Sequence, residues 1–125
     1  MARLLAIGCG GFLGAVLRYL VTVGVARRQG GVLPLGTLSC NVAGCLLIGV
    51  LVAVAEEREG LGEGAQLFLR VGLLGAFTTF STFGLETVDL LRDGEWGAAL
   101  LTVLGNLLLG LLAVAGGLAL GRWVS

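Results

Sequence analysis

Residues 75–89 read GAFTTFSTFGLETVD, and this stretch decides how the rest of the chain folds. Three phenylalanines at three-residue spacing, Phe77, Phe80 and Phe83, are interleaved with the hydroxyls of Thr78, Thr79, Ser81, Thr82 and Thr87 inside an otherwise apolar run. Gly72 and Gly75 stand just ahead of them. Glycine followed by β-branched and hydroxylated residues makes a poor helix interior, because the backbone is freer and the side chains compete for its hydrogen bonds. The stretch predicts a helix that breaks near its centre.

The flanking sequence sets the solvent. Of 125 residues, 57% are hydrophobic and 13% charged, and the mean hydropathy is +1.02. A water-soluble domain of this length needs far more polar surface, so the medium is a lipid bilayer. Polar punctuation leaves four apolar stretches, roughly 4–26, 32–55, 67–91 and 96–121, each of about 22 to 26 residues, enough to cross a hydrocarbon core of about 30 Å with some tilt. The opening MARLLAIGCGGFLGAVLRYLVTVGVARR has no small-residue cleavage site before a polar chain, so it reads as a first spanning helix and not a signal peptide. The expected fold is an all-α integral membrane protein. It has one domain over 1–125, four transmembrane helices with the third broken, and both termini on one side.

The connections ARRQGG, EEREGLGEG and RDGE are short and leave no room for a soluble domain. Small residues recur inside the spans: Gly10, Gly11 and Gly14 in the first, Ala43, Gly44 and Gly49 in the second, Gly110, Gly116, Gly117 and Gly121 in the fourth. Such positions let helix backbones approach closely. The three cysteines, Cys9, Cys40 and Cys45, lie inside apolar segments without a CxxC spacing, and the chain has no histidine. They are expected to pack as small hydrophobes, with no disulfide or metal role.

All eight basic residues are arginines. Arg3, Arg58, Arg70 and Arg122 fall on the side of the termini, Arg27, Arg28 and Arg92 on the other, and Arg18 lies inside the first span nearer that second side. Orientation follows the basic residues of short loops. A tally of four against three, or four against four with Arg18, gives almost no preference. A chain that inserts both ways can pair with an inverted copy of itself, and four spans alone enclose little room for a pathway. An antiparallel, dual-topology homodimer is therefore expected, the alternative being a weak bias that still fixes one orientation.

Polar side chains inside a span are expensive and mark function by default. At about 1.5 Å per residue, Asn41 lies about 14 Å into the second span, Asn106 about 15 Å into the fourth, and Thr78 to Phe80 at the centre of the third. For both asparagines the plain reading is a hydrogen bond between helices. The functional reading is an amide donor presented to an ion. Arg18 either snorkels to the interface or lines an aqueous vestibule whose charge concentrates anions. Carbonyls exposed by a helix break need protein or an ion to satisfy them, and they suit a cation. Phe80 and Phe83 offer ring edges of positive quadrupole beside hydroxyl and amide donors, surroundings suited to a small dehydrated anion. Glu86 and Asp89 lie toward the far end of the third span, either at the interface or paired with Arg18 or Arg92.

Catalysis has no support, since no nucleophile with a base and no metal-ligand set appears; no nucleic-acid partner is expected. A small dual-topology proton-coupled exporter is the alternative transport class. It requires a membrane carboxylate, yet the first two spans have none and Glu86 and Asp89 are off-centre. A pore-less assembly subunit is disfavoured by the midplane polar cluster.

Three motifs, GGFLGAVLRYL at 10–20, GTLSCNVAGCLLIG at 36–49 and GLLGAFTTFSTFGLET at 72–87, together resemble the Fluc (CrcB) family of fluoride channels. They occur in order on three of the four spans. The resemblance implies an antiparallel homodimer with two pores, passively exporting fluoride across the inner (cytoplasmic) membrane and relieving fluoride toxicity. It implies that Phe80 and Phe83 are pore phenylalanines, Asn41 the pore asparagine, and Ser81 and Thr82 part of a hydroxyl track. Gly75 and Thr78 would give backbone carbonyls to a structural Na⁺ at the dimer interface. Arg18 matches the first-helix arginine, at a vestibule, and Glu86 the acidic residue after the phenylalanines. Asn106 and Phe77 take no role from it.

Overall fold

A computed structural model describes residues 1–57 and 61–124, and the elements among them are helical. Arg58, counted above beside the termini, lies outside the described residues. The first span is helix α1, Ala2–Ala26. Beyond it the side-chain amide of Gln29 donates to the carbonyls of Gly31 and Leu33, folding the connection back toward the bundle. Helix α2 is Leu35–Glu57 and begins three residues later than the apolar pattern suggests. The cause is Pro34: its ring disfavours a helical residue before it, while its carbonyl accepts the Leu38 N–H at 3.2 Å and so opens the helix.

The third span, Glu63–Arg92, is two helices. Helix α3 covers 63–77 and is wound as a π-helix over Leu67–Leu74. Helix α4 is Phe80–Arg92. Between them Thr78 (φ −81°, ψ 156°) and Thr79 (φ −151°, ψ 115°) are extended. The expected break is there, but Gly72 and Gly75 are helical and the two threonines carry it. Gly94, at φ 80°, makes the turn into the fourth span, a left-handed position open to a residue without Cβ. Helix α5, Trp96–Val124, is π-helical over Gly105–Leu109. All four spans are long and apolar enough to cross a membrane.

Helix α1 lies along the π-helical part of α3, and α2 along the second half of α5. Glycines make both contacts. A Cβ on Gly14 would collide with the Leu73 carbonyl oxygen, and one on Gly72 would stand 2.9 Å from the Gly10 Cα. On the other pair, a Cβ on Gly49 would strike the Val114 carbonyl and one on Gly117 the Leu46 carbonyl. Lipid gives helices no hydrophobic reason to associate, so this close backbone packing supplies the attraction. Gly11 and Gly116 differ, with open space outside them. Cys40 is fully buried and Cys45 half-buried, as packing residues should be, but Cys9 is exposed on the outer face of α1. A bilayer solvates that face, so apolar character did not imply burial. An ion pair of 2.7 Å between Arg3 Nη2 and Glu63 Oε2 joins the starts of α1 and α3 at one end of the bundle.

Candidate functional site

Leaving the helix at Thr78 and Thr79 strips backbone groups of their helical partners, and in an apolar medium each needs another. Thr78 still closes α3: its N–H and its hydroxyl both donate to the Leu74 carbonyl, at 3.1 and 3.0 Å. Thr79 turns to another helix. Its N–H donates to Asn41 Oδ1 at 2.8 Å, and its carbonyl accepts from Asn41 Nδ2 at 3.2 Å. One carboxamide therefore meets both polar groups of one residue. The Thr79 hydroxyl caps α4, accepting the Thr82 N–H at 3.2 Å and donating to Thr82 Oγ1 at 2.9 Å. Such a cap satisfies a first-turn N–H that has no intrahelical acceptor.

Asn41 Nδ2 uses its other hydrogen on Asn106 Oδ1, at 2.8 Å, and Asn106 Nδ2 donates to the Thr102 carbonyl at 2.9 Å. Both Asn41 donors are thus engaged between helices. The plain reading of the two asparagines is the one the structure shows. Asn106 stands on the π-helical turn of α5, a winding frequent at functional sites.

Phe80 and Phe83 sit edge to face, ring centres 5.4 Å apart and planes at 60°. Phe80 is 80% exposed and Phe83 only 8%. The two rings therefore lie side by side on one face of α4, Phe83 packed inward and Phe80 reaching outward. Asn41, Asn106, Gly75, Thr78, Phe80 and Phe83 share a cavity of about 340 Å³. Arg18, Ser81, Thr82 and Glu86 are not among its walls. Ser81 is exposed beside it, its Oγ 3.4 Å from Thr79 Oγ1, and Thr82 is half-buried in the cap. Arg18 is half-buried, and its carbonyl accepts the Cys40 thiol at 3.9 Å.

Glu86 does not pair with Arg18. Its Oε1 accepts from the hydroxyl of the buried Thr37 at 2.9 Å, while its Oε2 is buried without a hydrogen-bond partner among the described residues. Asp89 pairs instead with Arg92 one turn on, at 3.8 Å in an exposed position.

The break also decides what Gly75 and Thr78 offer. A continuous α-helix would bring the Thr79 N–H to the Gly75 carbonyl and the Thr82 N–H to the Thr78 carbonyl. Here those donors go to Asn41 Oδ1 and Thr79 Oγ1. Carbonyl oxygens released from helical pairing suit an alkali cation, so the residues fit the expected Na⁺. Two contributors escaped the sequence reading. Thr79 follows the rule for a helix cap, Ser or Thr just ahead of a helical run, and that signal was available. Arg70, counted only as a flanking charge, borders the same cavity.

Four spans around a polar, broken-helix centre define a multi-pass membrane protein with a cavity at the break. The chain belongs to the CrcB family: the profile described as "CrcB-like protein, Camphor Resistance (CrcB)" matches residues 5–118. A relative from Chloroflexus aurantiacus is 46% identical over 123 residues, covering 98% of either chain. One from Maridesulfovibrio salexigens is 40% identical over 124 residues, 99% of this chain and 98% of its own. One from Paracoccus denitrificans is 47% identical over 118 residues, 94% of this chain and 93% of its own. Each is named "Fluoride-specific ion channel FluC", a channel and not an enzyme.

Proposed function

We propose that this chain is a passive fluoride-selective channel of the cytoplasmic membrane, assembled from two inverted copies with two pores. The observation that carries the reading is the match along 98% of the chain to a relative named a fluoride-specific ion channel. Elementary chemistry supports it. Fluoride is small and strongly hydrated, so its route must replace water with donors and positive ring edges while holding no fixed charge that would trap it. Phe80 and Phe83 supply edges, Ser81 and Thr82 supply hydroxyl groups, Asn41, whose two N–H groups go to Thr79 and Asn106, holds the break that presents them, and Arg18 concentrates anions toward one mouth. A ring as exposed as Phe80 in the middle of a span, together with the nearly balanced arginines, favours an antiparallel partner that completes the cavity.

In this reading the Gly75 and Thr78 carbonyls of both copies would hold a structural Na⁺ at the dimer interface. Such an ion would supply charge that ties the copies together. Neutral HF crosses membranes and dissociates inside, trapping fluoride. A negative-inside potential, about 2.3 kcal/mol per charge per 100 mV, then drives the anion out through a passive pore.

The test is fluoride efflux from liposomes containing only this protein, with valinomycin present to dissipate voltage. Rapid release without a proton gradient, lost on Phe80→Ile, is expected. Release tied strictly to an imposed pH difference would replace this reading with the proton-coupled exporter, for which the buried Glu86 carboxylate is the one structural argument. Labelling of a terminal cysteine on both membrane faces is expected, and labelling on one face only would remove the inverted pair.

A further inference from the structure

We infer that Asn106 is a positioning residue for the break: it fixes the Asn41 carboxamide, and through it the pose of Thr79 and of the phenylalanines that follow. Thr79 needs an acceptor for its N–H and a donor for its carbonyl, and Asn41 gives it Oδ1 and Nδ2 respectively. With the amide turned the other way, N–H would face N–H and oxygen would face oxygen. The orientation that satisfies Thr79 leaves one Asn41 hydrogen over, at mid-span, where an unmade hydrogen bond is costly. Asn106 Oδ1 takes that hydrogen at 2.8 Å.

Asn106 is itself oriented. Its Nδ2 donates to the Thr102 carbonyl at 2.9 Å, so Oδ1 is the atom left to face Asn41. A single directional path therefore runs from the α5 backbone through Asn106 and Asn41 to both backbone groups of Thr79. From there it continues through the Thr79 hydroxyl to Thr82 Oγ1 and the Thr82 N–H, at the start of α4. Phe80 is the next residue after Thr79. The fourth span, which shares no hydrogen bond of its own with the break among the described residues, thus sets the break's geometry at one remove.

Hydrogen–deuterium exchange of the purified full-length protein tests this without fluoride, so its outcome is separate from the channel reading. Asn106→Leu keeps the shape and removes the acceptor. Exchange of the peptide covering 78–83 is expected to accelerate about tenfold, the scale of one ordinary net hydrogen bond. Asn106→Gln, which keeps both a carbonyl acceptor and an amide donor, restores slow exchange. Acceleration confined to 102–110, or Gln behaving like Leu, would show that Asn106 only packs its own helix and overturns the inference. Should the leucine variant not fold, Asn106→Ala is read the same way. The consequence for flux rests on the channel reading: fluoride efflux falls about tenfold in Asn106→Leu, and unchanged efflux overturns that consequence. A wild type that holds 78–83 protected yet moves no fluoride would overturn the channel reading alone.

Discussion

The third span is held in two different ways along its length. Its first half meets α1 through bare backbone, with Gly10, Gly14 and Gly72 at the contact. Its centre meets α2 through side-chain hydrogen bonds, with Asn41 standing in for the helical partners that Thr79 gave up. The first seam depends on volume and is indifferent to polarity. The second depends on which atoms donate and accept, because lipid offers no substitute for a missing partner. A membrane bundle can thus be rigid at one level and chemically addressable a few turns away.

Substitutions can break that contrast in graded steps. The largest effect is expected for Gly14→Val, which drives a branched side chain into the Leu73 carbonyl oxygen, an atom of the main chain that cannot swing aside. A loss of about 3 kcal/mol or more is expected, seen as loss of the monodisperse peak on size exclusion. Asn41→Leu comes next, removing three hydrogen bonds at once and leaving both Thr79 backbone groups without partners. It should lower stability by about 2 to 4 kcal/mol by thermal unfolding and abolish efflux, whereas intact stability would show that the break holds itself. Thr79→Val removes only the cap on α4 and should destabilise by about 1 kcal/mol. The smallest is Arg92→Ala at the exposed pair with Asp89, for which a change below about 0.5 kcal/mol is expected; a larger shift in the unfolding midpoint would mean that this end of α4 is covered.

The four spans were legible because hydropathy is a property of composition, and the break because Thr78 and Thr79 are poor helix formers in sequence. Pro34 shifted the start of α2 since apolar periodicity reports solvent preference, while a proline acts on backbone torsions. Depth counting placed Asn41 and Asn106 at one level. It gave no rotation about the helix axes, so the bonds from Asn41 to Thr79, 38 residues away, and to Asn106, 65 away, were beyond it. The π-helical winding of Gly105–Leu109 alters that rotation and has no residue pattern of its own. The same lack of rotation made Phe80 and Phe83 look equivalent when one is exposed and the other buried.

The two extended threonines also have an electrostatic consequence. Aligned peptide dipoles leave about half a positive charge at a helix N-terminus and half a negative charge at its C-terminus. Breaking the span at Thr78 and Thr79 therefore sets the negative end of α3 against the positive end of α4 in the middle of the chain's most hydroxyl-rich stretch. Partial charge of both signs is fixed there by peptide groups, and it adds no net charge to insert into lipid.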